Sequence, residues 1–229
     1  MRLPCNAIGS AVLAAAGAFL CFSLAPAAAL AEVSSPVLRI NAAAASTPIT
    51  VRHLRGNVSL LTGSGGNIAV LNGPNGKLLG DGGIAVSRPR LEEALARLGP
   101  APVRYVINTH YHWDHTEGNT WLAEAGGTIV AHTNTLKRLK MHSRVIEWGY
   151  TFPPTPKAGL PTEVFKTERT IRFEGETIVL RHYGSGHTDT DVAIYFQEAD
   201  ILQIGHIWWH GHYPFLDNGG GGSIDGLIR

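Results

Sequence analysis

The chain has 229 residues, with 19 Lys and Arg against 18 Asp and Glu, and 44% of it is hydrophobic. That near-neutral balance gives no basic excess for holding a polyanion, so nucleic acid is not an expected partner, and the apolar fraction is that of an ordinary globular domain. Both cysteines, Cys5 and Cys21, lie within residues 1–31; a chain cleaved after that point has neither a disulfide nor a thiolate metal ligand.

Residues 1–31 read as an export signal. Arg2 supplies a short basic start, residues 7–24 are almost entirely apolar, and Ala29-Leu30-Ala31 offers a small-residue cleavage site. Ser23 and Pro26 interrupt the apolar run and no basic stop-transfer flank follows, so no stable membrane anchor is expected after cleavage. The expected location is periplasmic or secreted. Cleavage removes only Arg2 from the charged set and leaves 18 basic against 18 acidic side chains. Residues 32–50, with Pro36, Pro48 and the alanine run 42–45, read as a flexible leader. About 200 residues remain, enough for one domain with a sizeable core, assigned to 51–229.

Short apolar runs at 58–61, 68–71 and 77–79, separated by Asn72-Gly73 and Asn75-Gly76, predict a β-meander with tight turns. Ser87 has the character of a helix N-cap, and Leu91, Leu95 and Leu98 follow at helical spacing until Gly99-Pro100 stops the helix. A strand at 103–107, a short helix at 120–124, a strand at 128–131 and a helix at 133–141 come next. Residues 149–161 hold four prolines and read as a loop of the kind that borders active sites. Strands return at 170–173, 177–182, 192–196 and 201–204. A meander followed by alternating elements predicts an α/β layered fold.

The segment Thr109-His110-Tyr111-His112-Trp113-Asp114-His115 places three imidazoles and a carboxylate just past an apolar strand. Nitrogen and oxygen donors of this kind suit zinc. In extended backbone, residues two apart point the same way, so His110 and His112 reach one metal together, while Asp114 and His115 serve a neighbouring one. A histidine-rich surface loop is the competing reading. His187 alone would be a weak candidate, but Gly184 and Gly186 allow a tight turn around it, and Thr188 and Asp191 are placed to fix that loop or a ligand imidazole. His53, His132, His142 and His182 have no such setting and are read as structural.

These residues resemble the metallo-β-lactamase superfamily. His110, His112, Asp114 and His115 match its HxHxDH signature, the run Leu79-Gly80-Asp81-Gly82-Gly83 is similar to its strand-end aspartate motif, and Gly186-His187-Thr188 to its later histidine motif. The resemblance implies an αββα sandwich with the metals at one edge between the sheets. It implies that His110, His112 and His187 hold a first zinc and that Asp114 and His115 hold a second. It further implies a hydroxide held between the metals as nucleophile, oriented by Asp114, and Asp81 among the supporting residues.

The chain departs from that family in two places. Where related hydrolases carry a metal-bridging aspartate after Gly205, this chain has His206. A carboxylate binds one metal with each oxygen, whereas a neutral imidazole has one lone pair and cannot bridge. Three arrangements follow: His206 binds the second metal alone, the first site works with a single metal, or the protein is not hydrolytic. The sequence also ends at Arg229, shortly after the glycines 219–222, where relatives continue. An incomplete C-terminal half of the sandwich is therefore expected. The aromatic stretch 207–215 offers Trp208, Trp209 and Tyr213 as candidate cleft residues beside the metals, with core packing as the other reading; His210 and His212 are read as cleft or surface residues.

The expected function is hydrolysis of a small amide, ester, lactone or β-lactam by one or two zinc ions. Two other readings stay open: an iron-dependent oxidoreductase on the same scaffold, since His and carboxylate ligands also suit ferrous iron, and a non-catalytic metal-binding accessory protein. The sequence carries no signature of a protein partner.

Overall fold

The computed structural model describes residues 35–229, so the expected signal segment lies outside the described residues. Helix α1 (Pro36–Ser46) opens the described chain, where a flexible leader was expected. Its cause is local: Pro36 stands at the start of the helix, where its missing N–H costs nothing, and the alanines have the highest helix propensity of any residue. Val37 and Ala44 are buried, which ties the helix to the domain. Asn41 Oδ1 also accepts a hydrogen bond from Trp113 Nε1 at 3.0 Å.

The meander follows as expected, with one strand more than the apolar runs predict. Strands β1 (Thr50–Arg55), β2 (Val58–Ser64), β3 (Gly66–Gly73) and β4 (Gly76–Gly80) pair antiparallel in sequence order. Helix α2 (Arg88–Arg97) begins after a 3-10 turn at Ala85–Ser87. Ser87 occupies the N-cap position without capping it: its hydroxyl donates to the Ile84 carbonyl at 2.7 Å, because the 3-10 turn runs straight into the helix.

Strand β5 (Val103–Ile107) leads into helices α3 (Trp113–Thr116) and α4 (Asn119–Glu124), then strand β6 (Thr128–His132) and helix α5 (Thr133–Leu139). The proline-rich region is not all loop: β7 (Ser143–Val145) and β8 (Tyr150–Phe152) form a hairpin, since the prolines begin only after Phe152. Strands β9 (Glu163–Phe165), β10 (Glu168–Phe173), β11 (Glu176–Arg181), β12 (Ala193–Phe196) and β13 (Ile201–Gln203) and helix α6 (Ile224–Ile228) complete the order.

Two sheets result. One has seven strands in the order β1-β2-β3-β4-β5-β6-β9, antiparallel up to β4 and parallel from there; the other has four, β10-β11-β12-β13, all antiparallel. Alternation along the strands sends Val58, Leu71, Leu78, Ile107 and Val130 of the large sheet against Ile178, Leu180, Ile194 and Phe196 of the small one. The opposite face of the large sheet, with Leu61, Val70, Leu79, Val106 and Ile129, packs on Leu91 and Leu95 of α2 and Leu122 of α4. Each such fully buried side chain stabilises the fold by about 1.5–3 kcal/mol relative to exposure. The parallel strands β4 and β5 end side by side, so their C-terminal loops open onto one edge of the sandwich, where the site is built.

Candidate metal centre

The chain leaves β5 through Asn108, Thr109 and His110, all buried, and turns into α3 at His112. This short helix lifts Asp114 and His115 away from the extended pair His110 and His112. The loop after β11 brings His187, and a 3-10 turn after β13 brings His206. His110, His112, His187 and His206 each offer a nitrogen within 4.8 Å of the others, and Asp114, His115 and His206 form a second such group. In one of the three arrangements open from sequence His206 binds the second metal alone; the structure places it within reach of both groups.

The hydrogen bonds around these rings decide which nitrogen each offers. Asp217 Oδ2 accepts from His112 Nε2 at 2.8 Å, and the Phe215 carbonyl accepts from His187 Nδ1 at 2.5 Å. Asp81 Oδ2 accepts from His115 Nδ1 at 2.8 Å. Thr109 Oγ1 already donates to Asp81 at 2.8 Å, so towards His110 Nδ1, 3.0 Å away, it acts as acceptor. Each partner fixes a proton on one ring nitrogen and leaves the other facing the site. The remaining atoms, His112 Nδ1, His187 Nε2, His110 Nε2 and His115 Nε2, turn inward.

The donor set fits a metal ion. His187 Nε2 and His112 Nδ1 lie 3.0 Å apart and His115 Nε2 and His206 Nε2 3.3 Å apart; two ligands bound tetrahedrally at zinc–nitrogen distances of ~2.1 Å stand about 3.4 Å apart. For the first pair both protons are committed elsewhere, so two lone pairs face each other, an arrangement that a cation between them stabilises. His110 Nε2 is buried with no hydrogen-bond partner, a cost of about 1–3 kcal/mol that a metal bond would offset.

Electrostatics point the same way. Burial, reinforced by the neighbouring rings, holds His110 well below its usual range, His187 down to about 4 and His206 down to about 3. All three are neutral ligands at neutral pH. His115 is the exception: burial works against its charge, yet Asp114 and Asp81 on either side outweigh burial and push it up to about 10. The same pairing overcomes burial at Asp114 and keeps it well below the usual carboxylate range. Two carboxylates here call for a cation, which a proton on His115 provides in the metal-free protein.

Asp81 is fully buried and adopts φ +75°, a region costly for a residue with a Cβ. The strain places its carboxylate to accept from Thr109 N at 2.7 Å as well as from Thr109 Oγ1 and His115. Gly66 on β3 is needed for the same ring, since a Cβ there would lie 2.3 Å from His115 Cε1. Thr188 and Asp191 fix the loop and not the imidazole: Thr188 N and Oγ1 both donate to Asp191, the hydroxyl at 2.6 Å, while His182 Nδ1 donates to the Asp191 carbonyl. His132 and His182 stack on each other with ring centres 4.0 Å apart, and His53, His142, His210 and His212 are exposed.

The expected aromatic cleft needs correction. Trp208 is 61% and Tyr213 98% exposed, and of the three candidates Trp209 alone lies at the site, its ring 4.5 Å from His206 and its Nε1 donating to the His206 carbonyl. The apolar wall is built by Phe215, at the end of that stretch, together with Trp113, Trp148 and Phe152 from elsewhere in the chain. Sequence reading also missed Tyr111 and Asp217. Tyr111 OH donates to Asp217 Oδ2 at 2.5 Å, Gly220 N donates to Oδ1 at 2.7 Å, and Arg138 lies over the Tyr111 ring while gripping Asp189 with two hydrogen bonds. Burial opposes ionisation of Asp217, but the bonds from His112 and Tyr111 outweigh it and hold its pKa well below the usual range.

The sequence profile of the metallo-β-lactamase superfamily matches residues 61–225, which include every ligand candidate above. The chain belongs to the metallo-β-lactamase superfamily. A hydroxyacylglutathione hydrolase of Synechococcus sp. (strain JA-2-3B'a(2-13)) is 29% identical over 121 residues, 53% of this chain and 40% of that protein. Among solved structures, MEM-A1, a subclass B3 metallo-β-lactamase isolated from a soil metagenome library, superposes with a TM-score of 0.56 at 23% identity, covering 66% of this chain and 59% of that one. A metallo-β-lactamase from Pontibacter korlensis gives 0.61 at 20% identity, covering 78% and 81%. The chain thus spans less than two thirds of the length of the first two, and the structural likenesses establish the α/β metallo-β-lactamase fold.

Proposed function

We propose that the protein is a zinc-dependent hydrolase acting on a small amide, ester or lactone, with a β-lactam among the candidates. One observation carries the reading: one nitrogen of each of His110, His112, His187 and His115 is already committed to an acceptor, so the other nitrogens converge on one cleft, where a metal ion would replace the second proton of His115. His110 Nε2, His112 Nδ1 and His187 Nε2 would hold the first ion; Asp114, His115 Nε2 and His206 would hold the second, with His206 also facing the first group. Bound there, zinc supplies Lewis acidity and lowers the pKa of a water towards neutrality. Asp114, kept ionised by His115, is the carboxylate placed to orient the attacking water, and its second oxygen can hold a proton of that water. Asp81 and Asp217 act through His115 and His112, fixing ring orientation and raising their basicity.

Elemental analysis of the purified chain, coupled to an ester and lactone hydrolysis screen with and without chelator, tests the reading. Zinc with chelator-sensitive turnover is the expected result. Iron as the bound metal, or turnover that survives chelation, would overturn it, and bound zinc with no turnover would favour an accessory metal-binding role. The proposal also places the protein outside the cytoplasm, on the pattern of residues 1–31 alone; N-terminal sequencing of the mature protein starting near Glu32 is the expected outcome.

A further inference from the structure

Beside the metal centre lies a cavity of about 400 Å³, within the roughly 300–1,000 Å³ range of small-molecule sites. The two share His112 and Asp217, so whatever fills the cavity is continuous with whatever reacts at the metals. Its walls come from α3, α5 and the β7–β8 hairpin. Trp113 packs against Phe152 with ring centres 5.2 Å apart and against Trp148 at 5.8 Å, and Trp148 stacks on Phe215 at 5.7 Å. These four rings make a continuous apolar surface, and Leu139 and Val145 extend it.

The charged groups on the lining carry as much information as the rings. Among the described residues Arg138 is the single Lys or Arg side chain on the lining, and its charge is already paired: Nε and Nη2 donate to Asp189 and Nη1 to the Gly219 carbonyl. The other charged groups are carboxylates. Asp217 is occupied by His112, Tyr111 and Gly220. Glu117 accepts only from Ala85 N at 3.2 Å. An anionic group entering here would meet two carboxylates and no unpaired cation, and would lose its hydration without replacement. Neutral aryl surface would instead find ring faces and edges at stacking distance.

We propose that this cavity is an acyl-group pocket selecting substrates whose entering end is an uncharged aryl group, so that the scissile carbonyl is delivered past His112 to the metals. This rests on the hydrolase reading above for the metals, but the pocket can be tested by binding alone. The purified full chain is titrated with 4-phenylbutyramide and with its 4-(4-carboxyphenyl) analogue, which differs only by a carboxylate at the end that enters. Tryptophan fluorescence, to which Trp113 and Trp148 contribute, reports occupancy.

The neutral amide is expected to bind in the millimolar range usual for a fragment of this size, at least tenfold more tightly than the carboxylate. Val145→Trp fills the cavity from the hairpin and should weaken the amide at least tenfold; Ser143→Trp, entering from the same strand, serves if the first variant does not fold. Equal affinity for the two probes, preference for the carboxylate, no binding of either at millimolar concentration, or undiminished binding in a folded tryptophan variant would overturn the pocket. The companion readout is hydrolysis of 4-nitrophenyl acetate by the wild type. Turnover without the binding preference removes the pocket and leaves the hydrolase; the preference without turnover removes the hydrolase and leaves the pocket.

Discussion

Replacing Asp217 by Asn tests the arrangement of the first metal site most directly. The wild-type carboxylate accepts three hydrogen bonds, from His112 Nε2 at 2.8 Å, Tyr111 OH at 2.5 Å and Gly220 N at 2.7 Å. An amide keeps one acceptor oxygen, which Gly220 holds on the Oδ1 side. The amide nitrogen then faces His112 Nε2, and the favoured response is for the imidazole to move its proton to Nδ1. That nitrogen is the one 3.0 Å from His187 Nε2, so the shift removes a ligand lone pair from the site. Loss of a supporting carboxylate of this kind costs about 10–100-fold in metal affinity, or about 1.4–2.7 kcal/mol. The assay is competition for zinc against a chromophoric chelator, with the cobalt-substituted spectrum reporting coordination. Tyr111→Phe keeps the carboxylate and is the control, expected to lose less than Asp217→Asn. If Asp217→Asn binds the first metal as tightly as wild type, the tautomer argument is wrong.

Three further outcomes are expected. Asp81→Ala leaves His115 Nδ1 and Thr109 N buried without an acceptor, and should cost about 3–5 kcal/mol in urea unfolding of the metal-free protein; a loss below 1 kcal/mol, within the range of an ordinary neutral hydrogen bond, would contradict it. His132, whose Nδ1 accepts from Asn134 N while Nε2 donates to the Lys166 carbonyl, is held at about 4 by burial and then by His182. Its folded pKa lies below the unfolded value of about 6.5, so its contribution to stability is complete above that pH and is lost as pH falls towards 4. Urea midpoints measured across that window should fall less steeply in His132→Gln than in wild type. His206→Asp should raise the zinc bound per chain towards two by elemental analysis, and unchanged stoichiometry at saturating zinc would show that a bridging carboxylate is not what limits the second site.

The parts of the site legible in the sequence are those whose geometry is local. His110, His112, Asp114 and His115 are set by a strand end and one helical turn, so spacing alone orders them, and Asp81 and His187 stand in short glycine-marked turns. Asp217 meets His112 across 105 positions of chain, in a glycine-rich loop with no periodicity, and nothing in the sequence announces that contact. The aromatic wall escaped for a related reason. Of the dense run at 207–215 only Phe215 joins the wall, and the other rings, at 113, 148 and 152, converge with it only once the β7–β8 hairpin folds over α3. In α1 an alanine run compatible with either leader or helix became helix because Val37 and Ala44 found a surface to bury against.

His206 takes on a narrower meaning once these contacts are known. From sequence, exchanging the bridging aspartate for histidine removes a negative charge from a site that must hold up to two divalent ions, and that alone argues against filling both. The structure supplies two carboxylates behind the ligands, Asp217 behind His112 and Asp81 behind His115, while Asp114 faces the second group directly. Each metal position therefore has a negative charge one imidazole away or nearer, and the first gains one that no ligand pattern reveals. Low-dielectric surroundings strengthen these pairings. What His206 withholds is the second donor atom that lets one side chain touch two metals at once, since its Nε2 faces His115 at 3.3 Å and its Nδ1 is buried without a partner. The first site is therefore complete without the bridge, and the second depends on whether Asp114, His115 and a single nitrogen of His206 hold an ion unaided.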